Sequence, residues 1–226
     1  MVLSGQEGRH AATVRRLARG EQAYLTDGAG TVAHCLVTGA GPSELELTVL
    51  ARQSEPRPDP SFTVVQAIPK GDRGELAVEL LTEVGADVVV PWAAERCVAQ
   101  WRGERAEKAV GRWRSAALQA AKQSRRAWLP EVTAQAGTSV VAGRIGSAAL
   151  AVVLEADAPT RLADLELPAA GEIVLVVGPE GGITPTEQHD LAVAGAVAAR
   201  LGPTVLRTSS AGVVAAGILL SRTGRW

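Results

Sequence analysis

Cysteine is nearly absent from this chain. The 226 residues carry two, Cys35 and Cys97, far apart and without a CxxC pair or metal-ligand spacing. That argues against a disulfide framework and a zinc site and favours a reduced interior. Long hydrophobic runs are also missing: none approaches the roughly 20 residues that a membrane helix needs. The N-terminus shows no signal-peptide pattern, so the expectation is a cytoplasmic protein with no membrane association. Two nucleotide-binding signatures are lacking as well, the GxxxxGK[ST] phosphate loop and the GxGxxG dinucleotide fingerprint. There is one Phe, one Tyr and one Met, against five Trp. Trp92, Trp101, Trp113 and Trp128 are expected to pack a sheet–helix core, with base stacking by one of them as the alternative. The three histidines, His10, His34 and His189, are scattered and suggest no ligand set.

A large excess of one charge is absent too, since the formal net charge is −1. That total hides a local asymmetry. Between Arg105 and Arg126 lie seven basic residues and a single acid, Glu107. Arg105, Lys108, Arg112, Ser115, Gln119, Lys122 and Arg126 follow one another at alternating steps of 3 and 4, one face of a helix expected over about Glu104 to Ala127. A solvated helix face usually mixes its signs to gain i,i+4 pairs. An almost acid-free stripe instead suits a phosphate backbone.

What is present is organised in two parts. Residues 1 to about 51 read as short β segments, Glu21–Thr26, Thr31–Thr38 and Leu45–Leu50, with a hairpin signal at Asp27-Gly28 and a short helix over His10–Leu17. A small β-barrel is expected there, over residues 1–58. Its C-terminal boundary is the proline-rich stretch from Gln53 to Ser61. From residue 62 to 226 strands and helices alternate. Thr63–Ile68, a helix closed by Gly85, and Asp87–Trp92 form a β-α-β unit, which implies a parallel sheet. Ala148–Leu154 is a further buried strand.

The most telling pattern lies near the C-terminus. Ile173–Val177 runs into Gly178-Pro179-Glu180-Gly181-Gly182, and Thr184-Pro185-Thr186-Glu187 then opens a helix as a capping box with proline at its first position. The design recurs at Ala196–Leu201, Gly202-Pro203, Val205-Leu206-Arg207-Thr208 and a small-residue helix. Open α/β sheets bind ligands beyond the carboxyl ends of such strands. Glycines there let main-chain groups approach a small molecule. A tight turn is the bland reading of GPEGG; its recurrence as Gly202-Pro203 favours a pocket.

VVGPEGGITPTE followed by LGPTVLRTSSAG resembles the knotted SPOUT methyltransferases, and within them the bacterial 16S ribosomal RNA (uracil-N3)-methyltransferases. TEVGA at 82–86, Glu95-Arg96-Cys97, Gln123-Ser124-Arg125-Arg126 with Pro130, and the Arg9–Leu17 segment match the same family in order. The sequence departs from it at Ser209 and Lys122, where the family has acids, and at Leu80, where it has a lysine. The chain also begins at what resembles the barrel's second strand.

The resemblance implies an α/β fold with a C-terminal trefoil knot, a PUA-like barrel in front, and a homodimer. It implies S-adenosylmethionine as methyl donor and no metal. Donor contacts would come from Leu154, Gly178, Glu180, Gly182, Leu201, Gly202, Leu206, Arg207 and Thr208. RNA contacts would come from Arg9, Arg15, Arg16, Lys70, Arg73, Arg96 and Arg126. Arg207 is the catalytic candidate, stabilising negative charge on the uracil carbonyls, with an RNA phosphate clamp or an interface salt bridge as its alternatives. No general base is identifiable beyond Ser209 and His189, named by location alone. The implied partner is 16S ribosomal RNA in the small ribosomal subunit. An RNA-binding protein of the same fold without transfer activity, and a transfer RNA methyltransferase, are the alternatives left open.

Overall fold

The computed structural model describes all 226 residues, which divide into two compact units at Arg57/Pro58. In the first unit β1 (Val2–Leu3) leads into α1 (Gly5–Arg9), which continues as a wider π-helical turn over His10–Val14. The helix expected at His10–Leu17 therefore starts earlier and ends earlier. β2 (Gln22–Thr26), β3 (Thr31–Ala40) and β4 (Leu45–Ser54) complete an antiparallel sheet of order β1-β4-β3-β2. This is half a barrel, open at β2.

The β2–β3 hairpin is set by Asp27, whose Oδ1 accepts from the N–H groups of Ala29 and Thr31 at 2.8 and 3.0 Å. Those hydrogen bonds favour the carboxylate and lower its pKa. One sheet face buries Cys35, Val37, Leu45 and Leu47 against Ala11. β4 runs four residues beyond the expected Leu50, into the stretch read as linker.

The second unit carries a six-stranded parallel sheet in the order β10-β8-β9-β5-β6-β7. Its central strands are β5 (Ser61–Ala67), β6 (Val88–Trp92), β8 (Leu150–Leu154) and β9 (Glu172–Val177), with short β7 (Glu131–Val132) and β10 (Val197–Ala199) at the edges. Continuous apolar runs such as Ile173–Val177 are what a sheet covered on both faces requires. α2 (Arg73–Val84), α3 (Glu104–Gln123) and α6 (Thr208–Ser221) cover one face, and α4 (Thr138–Ser147) and α5 (Pro185–Val193) cover the other. No helix is long and apolar enough to cross a membrane.

α2 ends where the sequence places its stop, at Gly85 with φ of 109°. α3 buries Ala109, Val110, Trp113, Ala117 and Ala120. Trp113 sits so close to α2 that a Cβ on Gly74 would lie 2.7 Å from its Nε1. Trp101 packs edge-on against it, ring centroids 5.1 Å apart.

After β10, at the sheet edge, the chain returns inward, and α6 packs on β9, β5 and α2. A knotted path needs that return. It brings the loops that follow β8, β9 and β10 together at one end of the sheet.

Candidate functional site

The three loops enclose a cavity of about 490 Å³, within the size range of small-molecule sites. Leu154, Gly178, Glu180, Gly182, Leu201, Gly202, Leu206, Arg207 and Thr208, the nine residues read from the sequence as donor contacts, all line it. Each wall has a local cause.

Gly178 ends β9 with Ile183 folded over it; a Cβ at Gly178 would stand 2.8 Å from Ile183 Cγ1. The loop turns on Gly182, at φ of 75°, whose N–H donates to Pro179 O at 2.9 Å. The capping box that starts α5 is formed as its sequence indicates, Thr184 Oγ1 accepting from Glu187 N and the Glu187 carboxylate from Thr184 N.

Glu187 does more than cap. Its Oε1 accepts from Glu95 N and from Thr138 Oγ1, each at 2.9 Å, and Thr138 in turn accepts from Trp92 Nε1. One buried carboxylate thus fixes the end of the 178–182 loop, the start of α4 and the segment bearing Arg96. Arg96 Nη1 donates to Gly181 O at 3.3 Å.

The third wall is unusual in its hydrogen bonding. No N–H or C=O group from Leu201 to Leu206 bonds to the rest of the chain. Main-chain donors and acceptors left free on residues that line a cavity are what a heteroaromatic ring edge or a diol can use, and they are otherwise kept paired or wet. Thr208 closes the wall by donating its hydroxyl to Gly178 O at 3.1 Å.

The cavity's charge is uneven. Glu155, Asp157 and Glu180 line it against a single cation, Arg207. Three carboxylates and one guanidinium favour a ligand carrying positive charge. Arg207 is exposed at the N-terminus of α6, and its side chain makes no hydrogen bond or ion pair within the chain. Sequence reading missed Glu155 and Asp157. They follow the end of β8 as Gly178 follows β9, and only the glycine-free composition of that loop hid them.

The cations predicted to touch RNA fall into three groups. Arg9, Arg15 and Arg16 are exposed on the N-terminal unit. Lys70, Arg73 and Arg96 belong to the other unit: Lys70 N–H approaches Glu180 Oε1 at 3.5 Å, Arg96 rests on the 178–182 loop, and Arg73 begins α2.

Arg126 is a correction. Helix α3 stops at Gln123, Arg125 takes a left-handed backbone (φ of 58°), and the chain folds Arg126 away from the stripe. Its Nη1 donates to Thr82 O and Ala86 O at 2.9 and 2.6 Å, and its Nη2 to Asp87 at 3.4 Å. Burial pushes its pKa down and Asp87 opposes that shift. Arg126 is therefore engaged in the fold. The rest of the stripe, Arg105, Lys108, Arg112, Ser115, Gln119 and Lys122, is exposed, with Arg112 paired to Glu75 at 2.8 Å. No cluster of three His, Cys, Asp or Glu is placed to hold a metal ion.

Residues 56–220 match the RNA methyltransferase domain family, and residues 3–50 match the RNA methyltransferase PUA domain. The ribosomal RNA small subunit methyltransferase E of Mycobacterium tuberculosis is 50% identical over 100% of this chain and 87% of its own length. The protein of the same name from Bacillus subtilis is 28% identical over 98% of this chain and 90% of its own. Among solved structures, ribosomal RNA small subunit methyltransferase E from Neisseria gonorrhoeae, bound to S-adenosyl methionine, superposes with a TM-score of 0.86 at 27% identity, over 98% of this chain and 91% of that one.

Proposed function

Since the chain belongs to the ribosomal RNA small subunit methyltransferase E family, we propose that it methylates N3 of one uridine in 16S ribosomal RNA, with S-adenosylmethionine held in the cavity between the β8, β9 and β10 loops. The observation that carries this reading is the cavity itself: its free main chain at 201–206, its room of about 490 Å³ and its acidic lining fit a donor that is part nucleoside and part cation. S-adenosylmethionine supplies an electrophilic methyl group on a sulfonium.

This chain's residues have three tasks. The loops at 178–182 and 201–208 hold the donor through main chain. The rim cations Lys70, Arg73 and Arg96, with Arg9, Arg15 and Arg16 on the N-terminal unit, hold RNA phosphates, which position the substrate without reading its sequence. Arg207, the one cation lining the cavity, stabilises the negative charge that grows on the uracil carbonyls as the N3 proton leaves. No covalent nucleophile is needed, and positioning carries much of the rate.

The proposal includes a homodimer acting in the cytoplasm. α6 contains no charged residue from Thr208 to Ser221, and Val214 on it is exposed, as are Val205 and Leu206 just before it. An apolar surface of this kind suits a second copy, and light scattering of the purified chain reads the mass directly.

The test of function is methyl transfer from labelled donor to small ribosomal subunits that lack the modification, mapped by primer extension. Methylation at N3 blocks the pairing edge of uracil, so a new stop at one uridine is the expected result. Donor binding without label in the small subunit's RNA, but with label in transfer RNA, would overturn the substrate. No donor binding would leave an RNA-binding protein.

A further inference from the structure

The exposed face of the N-terminal sheet carries an aromatic pair that the activity above does not use. Tyr24, the chain's only tyrosine, is 66% exposed in the middle of β2. Its ring stacks on His34, its register partner on β3, with centroids 4.7 Å apart and planes 7° from parallel. β2 is the edge strand. His34 therefore covers the ring face turned toward the sheet, and the other face looks out past the edge. A large apolar ring held open in this way loses little conformational freedom when something stacks on it, because its orientation is already set. His34 Nε2 is shielded from solvent and bonds to nothing, so the pair is held by stacking rather than by a hydrogen bond to the imidazole.

The surroundings choose the occupant. The register places Gln22 opposite Leu36 and Thr26 opposite Val32 on the same face as the aromatic pair, so no acid stands beside it on these strands. The chain leading into β2 carries Arg9, Arg15, Arg16 and Arg19, all exposed, and no acid between Glu7 and Glu21. That segment packs through Ala11 on the other sheet face, so the unit offers an exposed π-face on one side and exposed arginines along the chain that enters β2. Stacked bases and paired phosphates are how single-stranded nucleic acid is held. Gln22 and Thr26 flank Tyr24 with polar side chains on the edge strand itself, and the apolar residues of this face, Val32 and Leu36, are half-buried on β3.

We propose that Tyr24, backed by His34, is a stacking platform for one unpaired base of the RNA substrate, whose phosphates further along the strand meet the exposed arginines of the same unit. The platform rests on the RNA-methylating reading given above. It is a recognition contact, outside the methyl-transfer chemistry, so it acts on RNA affinity alone.

The test compares the full chain with Tyr24→Ala, Tyr24→Phe and Tyr24→Leu. The substrate is small subunits lacking the modification, and binding of fluorescein-labelled oligouridylate is measured separately by anisotropy. Losing one base–aromatic stack corresponds to an affinity loss of about five- to a hundredfold. Tyr24→Ala should raise KM for subunits and Kd for oligouridylate by that factor, leaving kcat and donor affinity unchanged. Tyr24→Phe, which keeps the π-face, should stay within about twofold of the parent. Tyr24→Leu should behave as alanine does. Unchanged RNA affinity in Tyr24→Ala, or full rescue by leucine, would overturn the platform. If the parent chain transfers no methyl group, the functional reading fails while the oligouridylate series still decides the platform.

Discussion

The hydroxyl of Thr208, the first residue of α6, donates to the carbonyl of Gly178, the last turn out of β9, across 3.1 Å. Gln66 adds a third strand to the same junction: its Nε2 donates to Ala67 O at 3.1 Å and reaches Thr208 O at 3.5 Å. Two cavity walls distant in sequence are thereby held at a fixed spacing, and Gln66 is wholly buried beneath them. Thr208→Val keeps the shape and removes the bond. A net hydrogen bond is worth about 1 kcal/mol, or roughly fivefold in an equilibrium constant. Calorimetric titration should show the donor Kd rising by up to about that factor, alongside a melting point lowered by about 2–4 °C. A lowered melting point with unchanged donor affinity would mean that the tie serves folding alone.

Gly178→Ala is the sharper perturbation. The added methyl meets Ile183 Cγ1 at 2.8 Å and Cδ1 at 3.2 Å, closer than a Cβ can sit. Because the clash is with one side chain, it can be relieved from the other side. Gly178→Ala alone should weaken donor binding at least about tenfold, overpacking costing about 1–3 kcal/mol. Gly178→Ala with Ile183→Ala should recover most of that loss. Additive losses in the double-mutant cycle would sink the steric explanation.

The junction also marks what could be read from the chain. The capping box at Thr184 and Glu187 is a local signal with a local consequence, and it forms. A pocket at these strand ends was legible because strand ends and glycines recur in order and a parallel sheet brings its strand ends to one side, whereas the nine residues named for it came from the family resemblance. Arg126 was misplaced because helical periodicity holds only while the helix lasts, and α3 ends three residues before it. Its partner Asp87 is 39 residues away and that partner's other cation, Arg225, 138 away. Nothing in spacing announces such a pairing. The extra links made by Glu187 to Glu95 and Thr138 were hidden for the same reason.

Asp87 carries the next prediction. It accepts from Arg225 Nη1 at 2.7 Å and Nη2 at 3.0 Å, from Arg126 Nη2 and from the N–H of Phe62, with all three charged side chains largely buried. Asp87→Asn would leave two arginines in the interior without a countercharge, a loss on the order of 3–5 kcal/mol. Arg225→Met should cost less, since Asp87 would keep Arg126 and the Phe62 amide. Denaturant titration of both variants checks the order, and the reverse order would show that the C-terminal arginine, not the carboxylate, organises the network.

Arg207 offers the test closest to the chemistry. It lines the cavity, it is exposed, and it spends its charge on no partner in the chain. If it stabilises charge developing on the uracil carbonyls, Arg207→Ala should leave donor affinity unchanged and slow single-turnover transfer by about a hundredfold, the usual scale for losing one such donor. The pH profile separates this role from a phosphate clamp. A nearby cation favours the deprotonated imide, so the parent enzyme should level off at lower pH than the variant. The variant's rate should keep rising with pH, narrowing the gap, because hydroxide removes a proton whose loss the protein no longer assists. A clamp predicts something else: a higher KM for RNA, an unchanged kcat, and parallel pH profiles. Parallel profiles with a depressed kcat would assign Arg207 to positioning the uracil instead of stabilising its charge.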